Sequence, residues 1–306
     1  MEPGLCKQVL KLYNQGRTIR QIVELIDFEY GRESIRRELK RLNAQMRGRA
    51  TTYQSVKDFP EQKICLFAEL LGYIYGDGHL HKRKDSGVYE CKLAFALNEK
   101  DLVERVIQIT EKLFSFRPKV IKTEFNYIIR FRKSFAKYLS KLNYPVGKKS
   151  LINPKIPFEI FKDKNAIRYF IRGFLNAEAS INRTVSVQQS VQVVMPDKII
   201  NSIKNIKSAY KMRKFFCYFI SWGIAREYLC PSYTNCSNML MDLKTALSKF
   251  DISSNVYPVR VYIGKNDSVS IHHELRIVSK DFKKVEKLKI VTCKKKLEKL
   301  HALMRG

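Results

Sequence analysis

One segment occurs twice in this chain of 306 residues. Leu70-Leu71-Gly72-Tyr73-Ile74-Tyr75-Gly76-Asp77-Gly78 aligns with Ile171-Arg172-Gly173-Phe174-Leu175-Asn176-Ala177-Glu178-Ala179 at an offset of 101 residues. Small residues coincide at Gly72 and Gly173 and again at Gly76 and Ala177, and acids coincide at Asp77 and Glu178. A repeat of this kind constrains the fold more than either copy alone. Spacing of four puts the small residues on one helical face. Small side chains there let two helix backbones approach closely. Helices packed in this way bring Asp77 and Glu178 together at their C-termini, where the helix dipoles already concentrate negative charge. Two anions there repel each other unless cations sit between them, and oxygen ligands suit a hard divalent ion such as Mg²⁺. A metal held beside a cationic surface suits phosphodiester hydrolysis, since it activates water and stabilises the leaving oxygen. Taken singly, Gly76-Asp77-Gly78 is a helix-ending turn and Glu178 a solvated acid; the matched pair favours the metal site.

Charge narrows the partner. Lys and Arg number 58 against 29 Asp and Glu, a surplus of +29, and the pI is about 9.8. Such a surplus repels itself in a compact chain and points to a polyanion, with nucleic acid first because cationic side chains displace counterions from phosphate. A generally basic surface made for solubility is the plainer alternative. Anionic lipid fits less well, because no basic amphipathic helix stands apart. Seven cysteines (Cys6, Cys65, Cys91, Cys217, Cys230, Cys236 and Cys293) form no CxxC pair, which predicts free thiols in a reducing compartment. The most apolar stretch, 64–75, is interrupted by Glu69 and too short to span a bilayer. These features predict a soluble, intracellular protein with no membrane partner; the expected state is a monomer and the expected setting the cytoplasm or nucleoid of a prokaryote or an organelle matrix.

Periodicity divides the chain. Residues 1–50 read as a small all-α unit with helices near 5–13, 18–26 and 33–42, the third carrying Arg32, Arg36, Arg37, Lys40 and Arg41 outside. Two short helices and a basic third resemble a helix-turn-helix; a packing module with a solvated basic face shows the same pattern. Residues 51–61 read as a polar tether. From residue 62 helix and strand mix: 62–147 forms one unit, 148–164 a proline-bearing connection, and 165–306 a second unit with an insertion near 188–225. Strands are predicted at 79–84, 89–97, 119–124 and 127–132, then at 181–187, 226–233, 256–263 and 268–278. Alternation of apolar and polar residues within them predicts antiparallel sheets with one apolar and one cationic face. The predicted class is α+β.

The repeated segment resembles the LAGLIDADG motif of homing endonucleases, with Leu70, Gly72, Ile74, Asp77 and Gly78 matching by identity. Residues 171–179 look like a degenerate second copy, and Tyr144-Pro145-Val146-Gly147-Lys148-Lys149-Ser150 resembles the basic run that closes a first half. The resemblance covers about 62–306. It implies two pseudo-symmetric αββαββα lobes with saddle-shaped antiparallel sheets in the DNA major groove, and cutting of both strands of a long, imperfectly symmetric site. It implies Mg²⁺ or Mn²⁺ held by Asp77 and Glu178 and by the backbone at Gly76 and Ala177. It implies an active-site lysine at Lys148 or Lys149, with Lys294 and Lys295 as weak counterparts in the second lobe. Tyr75, Asn176 and Ala179 depart from the motif. Members of the family also include intron maturases, so host-intron RNA is a further possible partner. A non-catalytic DNA-binding regulator on the same fold is another alternative.

Strand alternation nominates the DNA readers: Lys92, Lys122, Arg130 and Arg132 in the first lobe, and Arg260, Tyr262, Ser270, His272 and Arg276 in the second. For any one of them a solvated strand face is an equal reading. His79 and His81 could share a face beside Asp77, although histidine is not the preferred ligand of Mg²⁺.

Overall fold

The computed structural model describes residues 3–14, 19–26, 30–42, 60–157, 163–193, 201, 237–263 and 268–305, without the side chains of residues 3, 20, 21, 32, 193 and 260–263. The chain forms two compact units, Met1–Thr52 and Tyr53–Gly306.

The first unit holds three helices, α1 (Pro3–Asn14), α2 (Ile19–Leu25) and α3 (Arg32–Arg41). Val9, Tyr13, Ile22, Val23, Ile26, Ile35 and Leu39 close its core. These are apolar positions at helical spacing, so the core follows from the periodicity. On α3, Arg36 pairs with Glu33 at 2.8 Å and Arg41 with Glu38 at 2.7 Å. Arg37 and Lys40 are exposed. The Arg32 side chain and the tether at 51–59 lie outside the described residues.

The second unit is α+β and contains two lobes of the same order. The first runs α4 (Glu61–Asp77), β1 (Gly78–Lys82), β2 (Tyr89–Ala96), α5 (Lys100–Phe114), β3 (Lys119–Lys122), β4 (Asn126–Arg130) and α6 (Lys133–Lys141). A short α7 (Lys149–Ile152) follows, inside the stretch predicted as a plain connection. The second lobe runs α8 (Lys164–Glu178), β5 (Ser180–Ile181), β6 (Val185–Val193), α9 (Asn238–Ser248), β7 (Ser254–Ile263), β8 (Val269–Ile277), α10 (Phe282–Lys287) and α11 (Lys294–Arg305). Both sheets are antiparallel and four-stranded, in the order β1-β2-β4-β3 and β5-β6-β8-β7.

One boundary needs correction. The strand predicted at 181–187 is a hairpin, β5 and then β6, and β6 continues to Val193, into the predicted insertion. Asn182 N donates to Thr184 O at 3.3 Å across the turn, which Asn-Arg-Thr chemistry favours. The predicted strand at 226–233, the helix near 197–209 and Trp222 lie outside the described residues, as do 158–162 of the connection.

α4 is buried on nearly every side, from Cys65 to Gly76. One face packs under its own sheet and the other meets α8, so a one-sided apolar stripe gives way to a nearly continuous apolar run. The acid in that run is compensated. Glu69, 1% exposed, receives two hydrogen bonds from Arg105 of α5, at 2.6 and 3.0 Å. Arg172 of α8 stands 3.9 Å away.

Candidate active site

The α4–α8 contact builds the site. A Cβ placed on Gly72 would lie 2.7 Å from Phe174 N, and one on Gly173 would lie 2.9 Å from Tyr73 N. Real atoms do not approach that closely, so the glycines set how near the two backbones come. One turn on, a Cβ at Gly76 would meet the Ala177 Cβ at 2.6 Å and the Glu178 Cγ at 3.0 Å. Asp77 and Glu178 therefore end neighbouring helices side by side. Gly78 follows with extended backbone, and a Cβ there would fall 2.6 Å from Ile74 Cα. Ala179 fills the matching place in the second lobe. It too is extended (φ −68°, ψ 130°), and its N–H donates to Leu175 O at 2.9 Å. The turn after α8 thus forms without the motif's final glycine.

The electrostatics reflect this crowding. Burial, and then the neighbouring Glu178 carboxylate, push the Asp77 carboxyl up to about 7. Asp77 nonetheless keeps an exposed face. Burial also raises Glu178, opposed by Lys149 and by a hydrogen bond from Gln189. Two lysines relieve the pair. Lys149, at the start of α7, donates to Tyr75 O at 2.7 Å and also to Gly76 O. Lys296, on α11, donates to Ala177 O at 2.7 Å and also to Asn176 O. Each ammonium thus caps the negative end of one motif helix. Burial lowers both lysines, and the nearby acids counter it.

These contacts sort the predicted lysines. Lys149 reaches the site, whereas Lys148 is exposed and donates to Gln192 of β6 at 3.2 Å. The second-lobe counterpart is Lys296, not Lys294 or Lys295. α11 begins at Lys294 and turns its third residue inward, leaving Lys294 exposed and Lys295 half-buried. The lysine run hides this choice, because helical phase inside it depends on where the helix starts. The carbonyls of Gly76 and Ala177, expected as metal ligands, each accept from an ammonium, so a cation on those oxygens would meet positive charge.

Tyr75 and Asn176, aligned in the repeat, differ. Tyr75 packs edge-on against Tyr144, with ring centroids 4.8 Å apart. The Tyr144 hydroxyl donates to Ile74 O at 2.6 Å, satisfying another carbonyl at the end of α4. Removing it in Tyr144→Phe leaves that buried carbonyl short of a partner and should cost about 1–2 kcal/mol in urea unfolding; an unchanged midpoint would contradict the cap.

The nominated readers separate by register. Across the first sheet His79, Lys92, Arg130 and Lys119 lie in one row, on the face away from buried Leu80, Cys91, Leu93 and Ile129. Sequence reading missed Lys119; alternation outward from Arg130 could have found it had the pairing been known. Lys122 is displaced. It pairs with Tyr127 and so shares the face of Tyr127 and Ile129, opposite Lys92. Arg132 lies beyond the end of β4, with its guanidinium 4.8 Å from the Phe116 ring centroid. In the second sheet Ser270, His272 and Arg276 alternate away from buried Ile271, Leu275 and Ile277. The Arg276 guanidinium is bound to Glu274 at 2.6 Å. Arg260 and Tyr262 align with His272 and Ser270, but their side chains lie outside the described residues. Beside Glu178 a polar hollow of about 370 Å³ is lined by Lys148, Ser150, Gln188, Gln189, Ser190, Ser270 and His272. His79 and His81 stack with centroids 5.3 Å apart. Among the described residues no group of three or more His, Cys, Asp and Glu could hold a metal. No described helix is long and apolar enough to cross a membrane.

No known family profile matches the chain. Over 150 residues, 48% of its length, it is 27% identical to the replication factor C small subunit of Methanocaldococcus jannaschii, and the match spans 8% of that protein. It is similar to the solved structure of full-length DUF199/WhiA from Thermatoga maritima, with 13% identity and a TM-score of 0.36 over 82% of this chain and 63% of that one. It is also similar to the homing endonuclease I-WcaI bound to its DNA recognition sequence, with 12% identity and a TM-score of 0.41 over 84% of this chain and 96% of that one.

Proposed function

We propose that this protein is a divalent-metal-dependent, site-specific double-strand DNA endonuclease of the LAGLIDADG type. The observation that carries the reading is the pair Asp77 and Glu178, brought together at the ends of two closely packed helices and flanked by Lys149 and Lys296. Structural stability alone gives no reason to place two carboxylates against each other at negative helix ends.

The residues fit Mg²⁺ or Mn²⁺. Two carboxylates are the donors with which Mg²⁺ is usually held, with water and substrate phosphate completing the shell; among the described residues no third His, Cys, Asp or Glu joins them. When bound, the ion supplies an activated water and stabilises the departing oxygen. The chain's own groups do the rest. Asp77 and Glu178 hold and orient the ion. Lys149 and Lys296 keep positive charge beside the phosphate where negative charge develops. Lys92, Arg130 and Lys119, in one row with His79, give the first sheet a cationic face for the duplex, and the hollow beside Glu178 offers Gln, Ser and His side chains to phosphate or base edges. The three-helix unit, with Arg37 and Lys40 exposed, adds a helix-turn-helix-like contact to DNA.

A second reading, DNA binding without cutting, is favoured by one observation: both motif carbonyls are already satisfied by lysines, which neutralise the site without a metal. The test uses DNA spanning the gene's own locus with the gene removed, incubated with Mg²⁺ or with EDTA. Mg²⁺-dependent cutting of both strands supports the nuclease; tight binding without cutting in any divalent ion supports the second reading. In either case affinity should fall by roughly 10³ between 50 and 200 mM salt, and Lys92→Ala with Arg130→Ala should flatten that slope. A flat response in the unmodified protein would contradict a phosphate-dominated interface.

A further inference from the structure

Lys296 reaches the site from the last helix with its ammonium 3.9 Å from Glu99 of the first lobe, and the start of that helix is held by two side chains that the motif comparison does not nominate. Asn176 is fully buried. Its Oδ1 accepts from Thr292 N at 2.9 Å and Cys293 N at 2.8 Å, while its Nδ2 donates to Arg172 O at 2.8 Å and Thr292 Oγ1 at 3.0 Å. Asn176 therefore ties the segment leading into α11 to the end of α8. Asp101, in the first turn of α5 in the other lobe, accepts from Lys294 N at 2.9 Å. The first N–H groups of a helix lack intrahelical partners, so this carboxylate caps α11 from across the lobe boundary. The start of α11 is thus held from both lobes, and Lys296 lies two residues beyond the Asp101 contact. The first lobe uses a different device: Lys149 follows Gly147, whose φ of 106° sets the turn and whose N–H donates to Leu80 O at 2.8 Å.

We propose that Asn176 and Asp101 are positioning residues that place the Lys296 ammonium on the end of α8, so that one half of the site is competent only when the lobes and the last helix are docked. The consequence for cutting rests on the nuclease reading. On that reading Lys149, on the end of α4, serves one scissile phosphate and Lys296, on the end of α8, serves the other. Disturbing Lys296 therefore slows one strand more than its complement.

Two measurements on the full-length protein test this. First, Lys296 acetylation by acetic anhydride is read by mass spectrometry against exposed Lys299 in the same molecule. Asn176→Leu and Asp101→Ala should each raise the Lys296 rate several-fold, whereas an unchanged rate in folded protein overturns the proposal. Second, strand-resolved cleavage should show one strand slowed about tenfold and nicked product accumulating, with DNA affinity unchanged. Neither substitution should add to the defect of Lys296→Met. Equal slowing of both strands, or a full further loss in the Lys296→Met background, overturns the proposal and indicates general loosening. Should Asn176→Leu fail to fold, Asp101→Ala, at the surface end of the contact, carries both measurements. Should the unmodified protein not cut DNA, the nuclease reading falls, and the acetylation rates decide the positioning by themselves.

Discussion

Asp77→Asn should stop DNA cutting and, in metal-free buffer at pH 8, make the protein melt at a higher temperature. The two effects have one cause. The folded state holds the Asp77 proton up to about pH 7, mainly through burial and then through the facing Glu178 carboxylate. The unfolded chain releases that proton near the ordinary aspartate value of about 3.9. The folded state thus binds more protons between those values, and stability is lost as pH rises through that window. The penalty is complete above about pH 7 and absent below about pH 4. Asp77 keeps solvent access, so only part of the shift counts, about 1–2 kcal/mol after allowance for screening. For a chain of this size that is a gain of roughly 2–8 °C in Tm at pH 8 and none at pH 4. Glu178→Gln should act in the same direction. Loss of an ion-holding carboxylate removes about 4 kcal/mol of transition-state stabilisation, roughly a thousandfold in rate. Scanning calorimetry at both pH values and a cleavage time course check the pair of effects. A lower Tm at pH 8 with cleavage retained would contradict the account.

Gly173→Val should be the most damaging single change in the second unit. Its Cβ would lie 2.9 Å from Tyr73 N and 3.0 Å from Glu69 C. Those neighbours are backbone atoms of a buried helix and cannot swing aside as a side chain would. The helices must separate, which spoils packing along the whole seam. Overpacking costs about 1–3 kcal/mol where side chains can yield, and a seam of backbone against backbone belongs at or above the upper end of that range. The expected fall in Tm is roughly 6–12 °C, and cleavage should be lost because the carboxylates end those same helices. Urea unfolding of Gly173→Val within 1 kcal/mol of the original midpoint stability would show that the seam is looser than the geometry requires.

The seam was legible in the sequence because sterics and charge leave the same trace twice. Small residues recur every four, an acid follows, and a second copy lies further along. The first sheet was legible for a related reason: Cys91, Leu93, Phe95 and Leu97 alternate, which gave the inward face of β2, although the strand ends at Ala96 and leaves Leu97 exposed. What stayed hidden depends on register and helical phase. Lys122 and Lys119 are both exposed lysines on one short strand, and only the pairing with Tyr127 or Arg130 says which faces outward. Lys294, Lys295 and Lys296 are identical in type, and only the start of α11, fixed by contacts from residues 101 and 176, turns the third one inward. Arg276 read as an available donor because its partner Glu274 sits two residues away along a strand, on the same face. The short hairpin at β5 was read as one strand since the tight turn between β5 and β6 carries no glycine.

The most direct test of the central claim is a crystal of the protein bound to its locus DNA and soaked with Mn²⁺, examined for anomalous scattering. The account predicts a peak within coordination distance of both the Asp77 and Glu178 carboxylates and of a DNA phosphate, and its disappearance in Asp77→Asn. A complex in which those two carboxylates stand apart, or in which no ion binds between them and the DNA, would contradict it.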